Sequence, residues 1–159
     1  MKNFSIKPLE KENLSELLTM LKEFAAYENK LDYLKCDEAK LANLFLKNEH
    51  AKAFILRENE QIIGYVIFFY TISSFLGERG IYIEDIYIRE NFRKKGYGRK
   101  VFEFIGELCQ KENITMLSWV CLNDNAQGVN FYKKLNATHL KDIRTYRLDG
   151  QNLAKLNNL

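Results

Sequence analysis

The chain has 159 residues, 47% hydrophobic and 28% charged, with 24 Lys and Arg against 21 Asp and Glu for a formal net charge of +3. That length fits one domain, residues 1–159, with a core of its own, and the charge is too balanced to argue for a nucleic-acid partner by itself. Cys36, Cys109 and Cys121 supply neither a disulfide framework nor a zinc spacing, and read as free thiols in a reducing cytoplasm.

In chain order, residues 1–8 contain no apolar signal-peptide core, and no apolar run approaches the ~20 residues of a membrane span. Cytoplasmic location and no membrane partner are therefore expected. Residues 4–8 read as a first strand. Leu14, Leu17, Leu18, Leu21, Phe24 and Ala25 recur at helical spacing, and Asn13 with Glu16 predicts a capping box at that helix start. A shorter helix is predicted from Asp37, with Leu41, Leu44 and Phe45 on one face. Strands are predicted over 52–57 and 61–73, joined as a hairpin through Glu58, Asn59 and Glu60. A loop over 74–80 leads to a strand over 81–88. A basic turn follows, then an amphipathic helix carrying Val101, Phe102, Ile105, Leu108 and Cys109. A strand over 116–122, a helix capped by Asn125 and running to Leu135, and a last strand over 142–148 complete the pattern. Hairpins followed by strand–helix–strand crossings imply an α/β (α+β) fold: a mixed, mostly antiparallel sheet with helices on both faces.

Arg93-Lys94-Lys95-Gly96-Tyr97-Gly98 follows a strand and opens a helix. A helix start offers unpaired N–H groups and a positive dipole end. The glycines let the backbone approach an anion closely, and Arg89, Arg99 and Lys100 add charge. The turn reads as a pyrophosphate cradle. A solvated basic loop and a nucleic-acid patch are the alternatives, but Phe92 and Tyr97 do not complete a stacking platform. A dinucleotide-binding unit is disfavoured because no βαβ unit begins the chain, and no Gly-Lys-Ser/Thr loop occurs.

Glu84 and Asp85 interrupt the apolar run Ile81-Tyr82-Ile83 and Ile86-Tyr87-Ile88. Carboxylates inside such a strand are costly unless paired. They serve either a buried ion pair or a cleft that attracts an amine and accepts its proton. Strict alternation sets the two acids on opposite faces unless a bulge intervenes. His50 and His139 stand in no recognisable setting, so a His-based triad is not expected, and no metal site is expected.

Arg93-x-x-Gly96-x-Gly98 after the strand at 82–88 resembles the acyl-CoA signature of the GNAT acetyltransferase superfamily. Tyr82-Ile83-Glu84-Asp85, Asn125, Asn130-Phe131-Tyr132-Lys133, Tyr27-Glu28, Ile6-Lys7-Pro8 and Tyr146-Arg147-Leu148 resemble, more closely, the spermidine/spermine (diamine) acetyltransferases and their bacterial relatives. The likeness covers nearly the whole chain. Where the bacterial members carry Asp-Trp-Asn-x-Pro, this chain has Asn123-Asp124-Asn125-Ala126-Gln127.

The resemblance implies acetyl transfer from acetyl-CoA to a small cationic amine such as a diamine, a polyamine or thialysine. It implies that main-chain groups of Arg93, Lys94, Lys95, Gly96, Tyr97, Gly98 and Arg99 grip the pyrophosphate. The pantetheine arm would pair with Ile86, Tyr87 and Ile88, and Asn125, Ala126, Gln127 and Gly128 would also touch the cofactor. Tyr27, Glu28, Glu84, Ser118, Trp119 and Val120 would contact the acceptor. Glu84 is the candidate base, and Tyr132 the acid that protonates the departing thiolate. Backbone N–H groups of residues 86–88 would stabilise the oxyanion. Glu28, Asp32, Glu84 and Asp85 could form an acidic funnel. A homodimer is expected from the same likeness. Acetylation of a protein or antibiotic amine, and a non-catalytic CoA-binding module, are the competing readings.

Overall fold

The computed structural model describes residues 3–47 and 50–158. They fall in two compact units, Met1–Val120 and Cys121–Leu159.

In the first unit five strands lie side by side in chain order: β1 (Phe4–Pro8), β2 (Lys52–Glu58), β3 (Gln61–Ser73), β4 (Glu78–Ile88) and β5 (Met116–Trp119). The first three junctions are antiparallel and the fourth is parallel. The β2–β3 hairpin turns at Asn59, whose φ of 53° suits asparagine. The parallel pair requires a crossover, which is the helix α3 (Tyr97–Lys111).

One face of the sheet packs on α1 (Leu14–Tyr27) and α2 (Glu38–Ala42). Leu14, Leu17, Met20 and Leu41 bury themselves against Ile55, Tyr65, Ile67 and Tyr87. The other face packs on α3, whose Tyr97, Val101 and Ile105 meet Leu56, Val66, Phe68, Ile81 and Ile83. A sheet covered on both sides needs a central strand that is apolar throughout. That is why Ile63, Tyr65, Val66, Ile67 and Phe68 of β3 are all buried. The expected architecture of a mixed, mostly antiparallel sheet with helices on both faces is present.

Several local expectations are corrected. Asn13 makes no side-chain cap: the chain enters α1 through a 3-10 turn over Lys11–Asn13, so Asn13 already has helical torsions. A capping asparagine needs extended torsions to aim its oxygen back at the helix. Glu16, freed from that role, pairs with Arg89 at 2.8 Å. Asp37 does cap α2, accepting from Lys40 N–H at 2.8 Å. The chain then widens into a π-helical turn over Asn43–Lys47. That turn changes the helical repeat, and Leu44 is exposed instead of facing the core. β4 begins three residues earlier than expected, and β5 stops at Trp119 instead of 122.

The second unit contains α4 (Ala126–Lys134) and α5 (Gly150–Ala154). The strand expected over 142–148 does not form. Ile143, Tyr146 and Leu148 are exposed, and the segment pairs with no strand among the described residues. An alternating pattern becomes a strand only with a ladder to join and a face to bury. No helix among the described residues is long and apolar enough to cross a membrane.

Candidate active site

The site in the first unit is organised by an irregularity in β4. Asp85 faces Ile67 of β3, yet the next residue of β3, Phe68, faces Ile83. Glu84 is thus an extra residue, a β-bulge. The bulge reverses the parity of the strand. Ile81 and Ile83 pack toward α3 before it, and Ile86 and Ile88 pack toward α3 after it. Asp85 is thereby carried onto the α1 side with Tyr87. The sequence left the sides of the two acids conditional on a bulge, and the bulge is present.

Glu84 is exposed, whereas Asp85 is half-buried. Burial, then the charges of Glu84 and Glu28, push the Asp85 carboxyl up from 3.8 to about 7. Glu28 reaches this place as the C-cap of α1, whose end is closed by Asn29 at φ 56°. Asn29 N–H donates to Ala26 O at 3.1 Å and Lys30 N–H to Ala25 O at 2.7 Å, a Schellman ending. A carboxylate at the negative end of a helix dipole is unfavourable, and Lys30 Nζ offsets it at 3.3 Å. Asp32, the fourth acid of the expected funnel, sits exposed on the 3-10 turn Leu31–Tyr33.

Arg93 braces the end of β4 to the end of α1. Its guanidinium lies 4.5 Å from the ring centroid of Tyr27 and 5.7 Å from that of Tyr87. Its Nε donates to Ile88 O at 2.8 Å. Arg89 also turns inward, forking onto Glu23 at 2.8 and 3.0 Å. Of the basic residues around the turn, these two are therefore committed to the scaffold. Lys94, Lys95, Arg99 and Lys100 remain exposed.

The turn itself is open on its outer side. Gly96 has φ 85°, and a Cβ there would meet nothing within 4 Å, so the space above it is open. Lys94 also takes a left-handed φ of 59°. No side chain caps the start of α3, so its first-turn N–H groups keep their outward dipole. Tyr97 points the other way. Its hydroxyl donates to Glu58, which pushes it up to about 12, and its ring stacks on Phe4. Only its backbone belongs to the turn's outer side.

β4 pairs with β5 only from Gly80 to Ile83. From Glu84 to Ile88 its second edge has no strand partner among the described residues, although its first edge stays paired with β3. Alternate backbone groups of this stretch are thus available to an extended, amide-bearing ligand that adds to the edge like a strand. The free edge leads directly to the Gly96 turn. Ser118 and Trp119 lie on β5, where Trp119 meets Phe102 edge-on at 5.1 Å, and Val120 is exposed.

In the second unit, Asn125 caps α4 by accepting from Gly128 N–H at 2.9 Å. A Cβ at Gly128 would stand 2.9 Å from Asn125 Nδ2 and 3.1 Å from Cys121 Sγ, so the capping side chain would have to shift to admit one. Ala126 and Gln127 are exposed on the first turn. Tyr132 is half-buried on α4, its ring 5.5 Å from that of Phe131. α4 ends on Asn136 at φ 57°, a left-handed cap.

One residue near the acids was not singled out in the sequence. Tyr65 is fully buried, and its hydroxyl has no hydrogen-bond partner among the described residues. In an apolar strand it reads as core, and only the fold reveals the orphaned oxygen.

Known proteins resemble this chain. The model of the acetyltransferase (GNAT) family matches residues 14–137. The thialysine N-epsilon-acetyltransferase of Caenorhabditis elegans is 28% identical over 158 residues, covering 98% of each chain. The L-ornithine N5-acetyltransferase NATA1 of Arabidopsis thaliana is 34% identical over 98 residues, a stretch spanning 62% of this chain but 43% of that protein. Among solved structures, an integron cassette protein from V. cholerae superposes with a TM-score of 0.81 over 98% of both chains at 21% identity, which is a likeness of fold.

Proposed function

Since this chain belongs to the acetyltransferase (GNAT) family and is an acyl-CoA-dependent N-acetyltransferase acting on amines, we propose that it moves acetyl from acetyl-CoA to a primary amine of a small cationic acceptor. Diamines, polyamines and amino acids with a terminal side-chain amine, such as thialysine or ornithine, are the acceptor class. The observation that carries this reading is the meeting of Glu28 and Glu84 with Asp85, whose carboxyl is held near neutrality by burial first and by those two charges second. Such a cluster of acids attracts a group that brings positive charge. The thialysine and ornithine acetyltransferases above act on acceptors of that kind, which supports it.

The chain's own residues suggest a division of labour. The free edge of β4 at residues 84–88 would hold an extended amide arm. The N–H groups of residues 94–99 would hold a pyrophosphate, with Lys94, Lys95 and Arg99 adding charge. When bound, acetyl-CoA supplies the thioester carbonyl that the amine attacks. An amine is protonated at neutral pH, so a proton must leave it first. The acids of the bulge provide for that, and Glu84 is the base that the family likeness suggests. Tyr132 would hold the proton that the departing thiolate takes. Backbone N–H groups along residues 86–88 would favour developing negative charge on the acyl oxygen.

Release of free CoA thiol from acetyl-CoA tests the reading across thialysine, ornithine, spermidine, putrescine and basic peptides. Turnover on the small amines is expected. Turnover confined to peptides would replace the acceptor class.

A further inference from the structure

The bulge in β4 also bears on which group takes the acceptor's proton, a step that rests on the acetyl-transfer reading above. We propose that Asp85 receives the proton of the acceptor's ammonium group and that the buried hydroxyl of Tyr65 positions that group beside it.

Geometry brings the two residues together. Tyr65 faces Tyr87 across the β3–β4 ladder and Ile67 faces Asp85, so Tyr65 and Asp85 are diagonal neighbours on the α1 side. Asp85 is the foremost charge acting on the Tyr65 hydroxyl, ahead of Tyr87, Glu28 and Cys36. That hydroxyl is fully buried and lacks a hydrogen-bond partner among the described residues. A buried oxygen in that state lowers stability, and a phenylalanine there would avoid the cost. The hydroxyl is accounted for if a ligand's N–H donates to it. The same ligand answers the clustered carboxylates, of which Glu28 is paired with Lys30.

Chemistry favours Asp85 over an ordinary carboxylate. An alkylammonium group titrates near ~10.4 and an ordinary aspartate near ~3.9, a mismatch of more than six orders of magnitude. With Asp85 at about 7, the mismatch falls to about three orders. At neutral pH the group is also half ionised and ready to accept. Burial holds it there first, with smaller contributions from Glu84, exposed beside it, and Glu28, from the end of α1. The step is balanced: one N–H bond of R–NH3+ breaks, an O–H bond forms on Asp85, and the electron pair stays on nitrogen. The neutral amine then has the pair it needs to bond to the acyl carbon, and Asp85 returns its proton to solvent afterwards. Tyr65 does not act as the base itself, because burial raises its own titration well above 10. It is a positioning residue.

The test combines kinetics with a direct titration. kcat/KM for thialysine is measured against pH in wild type, Glu84→Gln and Asp85→Asn, and the carboxyl carbon of Asp85 is followed by NMR with and without spermidine. The expected rate limb has its midpoint near pH 7, matching the NMR midpoint. It persists in Glu84→Gln, displaced downward, and disappears in Asp85→Asn with a fall of ~100-fold or more. Tyr65→Phe should raise KM for thialysine about tenfold and perturb the Asp85 titration, while raising the melting temperature. A limb that vanishes in Glu84→Gln and survives in Asp85→Asn overturns the assignment. Higher stability in Tyr65→Phe with unchanged KM overturns the part given to Tyr65. If wild type acetylates none of the amines, the acceptor reading fails by itself. The NMR arm still decides the proton site: a midpoint near ~4, insensitive to spermidine, overturns it.

Discussion

Asp85 faces Ile67 across the β3–β4 ladder, one step out of register with Ile83 and Phe68. That displacement by a single residue puts a carboxyl on the side where α1 delivers Glu28. It also lets isoleucines on both sides of the bulge keep facing α3.

The linkage between Asp85 and stability has a definite sign. Its folded value of about 7 lies above the unfolded value of ~3.9, so the native state binds that proton more tightly. Stability contributed by the neutral form is present below ~4 and falls as pH rises toward ~7, levelling off above it. Asp85→Asn should match wild type near pH ~4 and melt higher near pH ~8, by a margin of at most ~4 kcal/mol. Thermal melts at the two pH values check this. A variant that melts lower at the upper pH would show that the carboxylate is stabilised there.

Arg93 should matter through its brace to α1. Arg93→Ala removes the contact with Tyr27 and the bond to Ile88 O, costing ~1–2 kcal/mol. KM for the amine should rise with it, because Tyr27 and Glu28 lose their anchor to β4. Arg93→Lys keeps the charge without the planar fork and should recover little. Full recovery by lysine, in both melting temperature and KM, would reduce the role to bare charge.

Two glycines should respond differently. A Cβ at Gly64 would stand 2.2 Å from Tyr87 O and 3.2 Å from Ile88 Cα, which the backbone must move to admit. Gly96 has open space and pays only for its φ of 85°. Gly64→Ala should therefore lose ~3 kcal/mol and Gly96→Ala ~1–2 kcal/mol, read from urea midpoints. The opposite ranking would contradict the packing at the β3–β4 junction.

Tyr132→Phe should cut turnover by ~100-fold or more while leaving CoA affinity nearly unchanged. Single-turnover rates and CoA titration check it together. Unchanged turnover removes Tyr132 from the proton transfers.

Most of the first unit was legible because its signals are local. The β3 boundaries, the start of α2 at Asp37 and the amphipathic face of α3 each follow from a few neighbouring residues. The turn at Gly96 was legible for the same reason. What failed depended on partners distant in sequence. Asn13 looks like a cap until the preceding turn takes it into the helix. Residues 142–148 look like a strand until no ladder receives them. The orphaned hydroxyl of Tyr65 exists only once the core closes around it. Asn29 and Asn113 end their helices in the same left-handed manner as Asn136. Asparagine is common in this chain, and its use in place of glycine carries no separate mark.

The central claim is recognition of positive charge beside the reacting amine, and the most direct measurement compares 1,5-diaminopentane with pentylamine under identical conditions. The two differ by one terminal ammonium group at equal chain length. If the acids at the β4 bulge and the end of α1 select the acceptor, kcat/KM for the diamine exceeds that for the monoamine by about tenfold or more, and the ratio shrinks with added salt. Equal values, or a preference for the monoamine, would contradict the account.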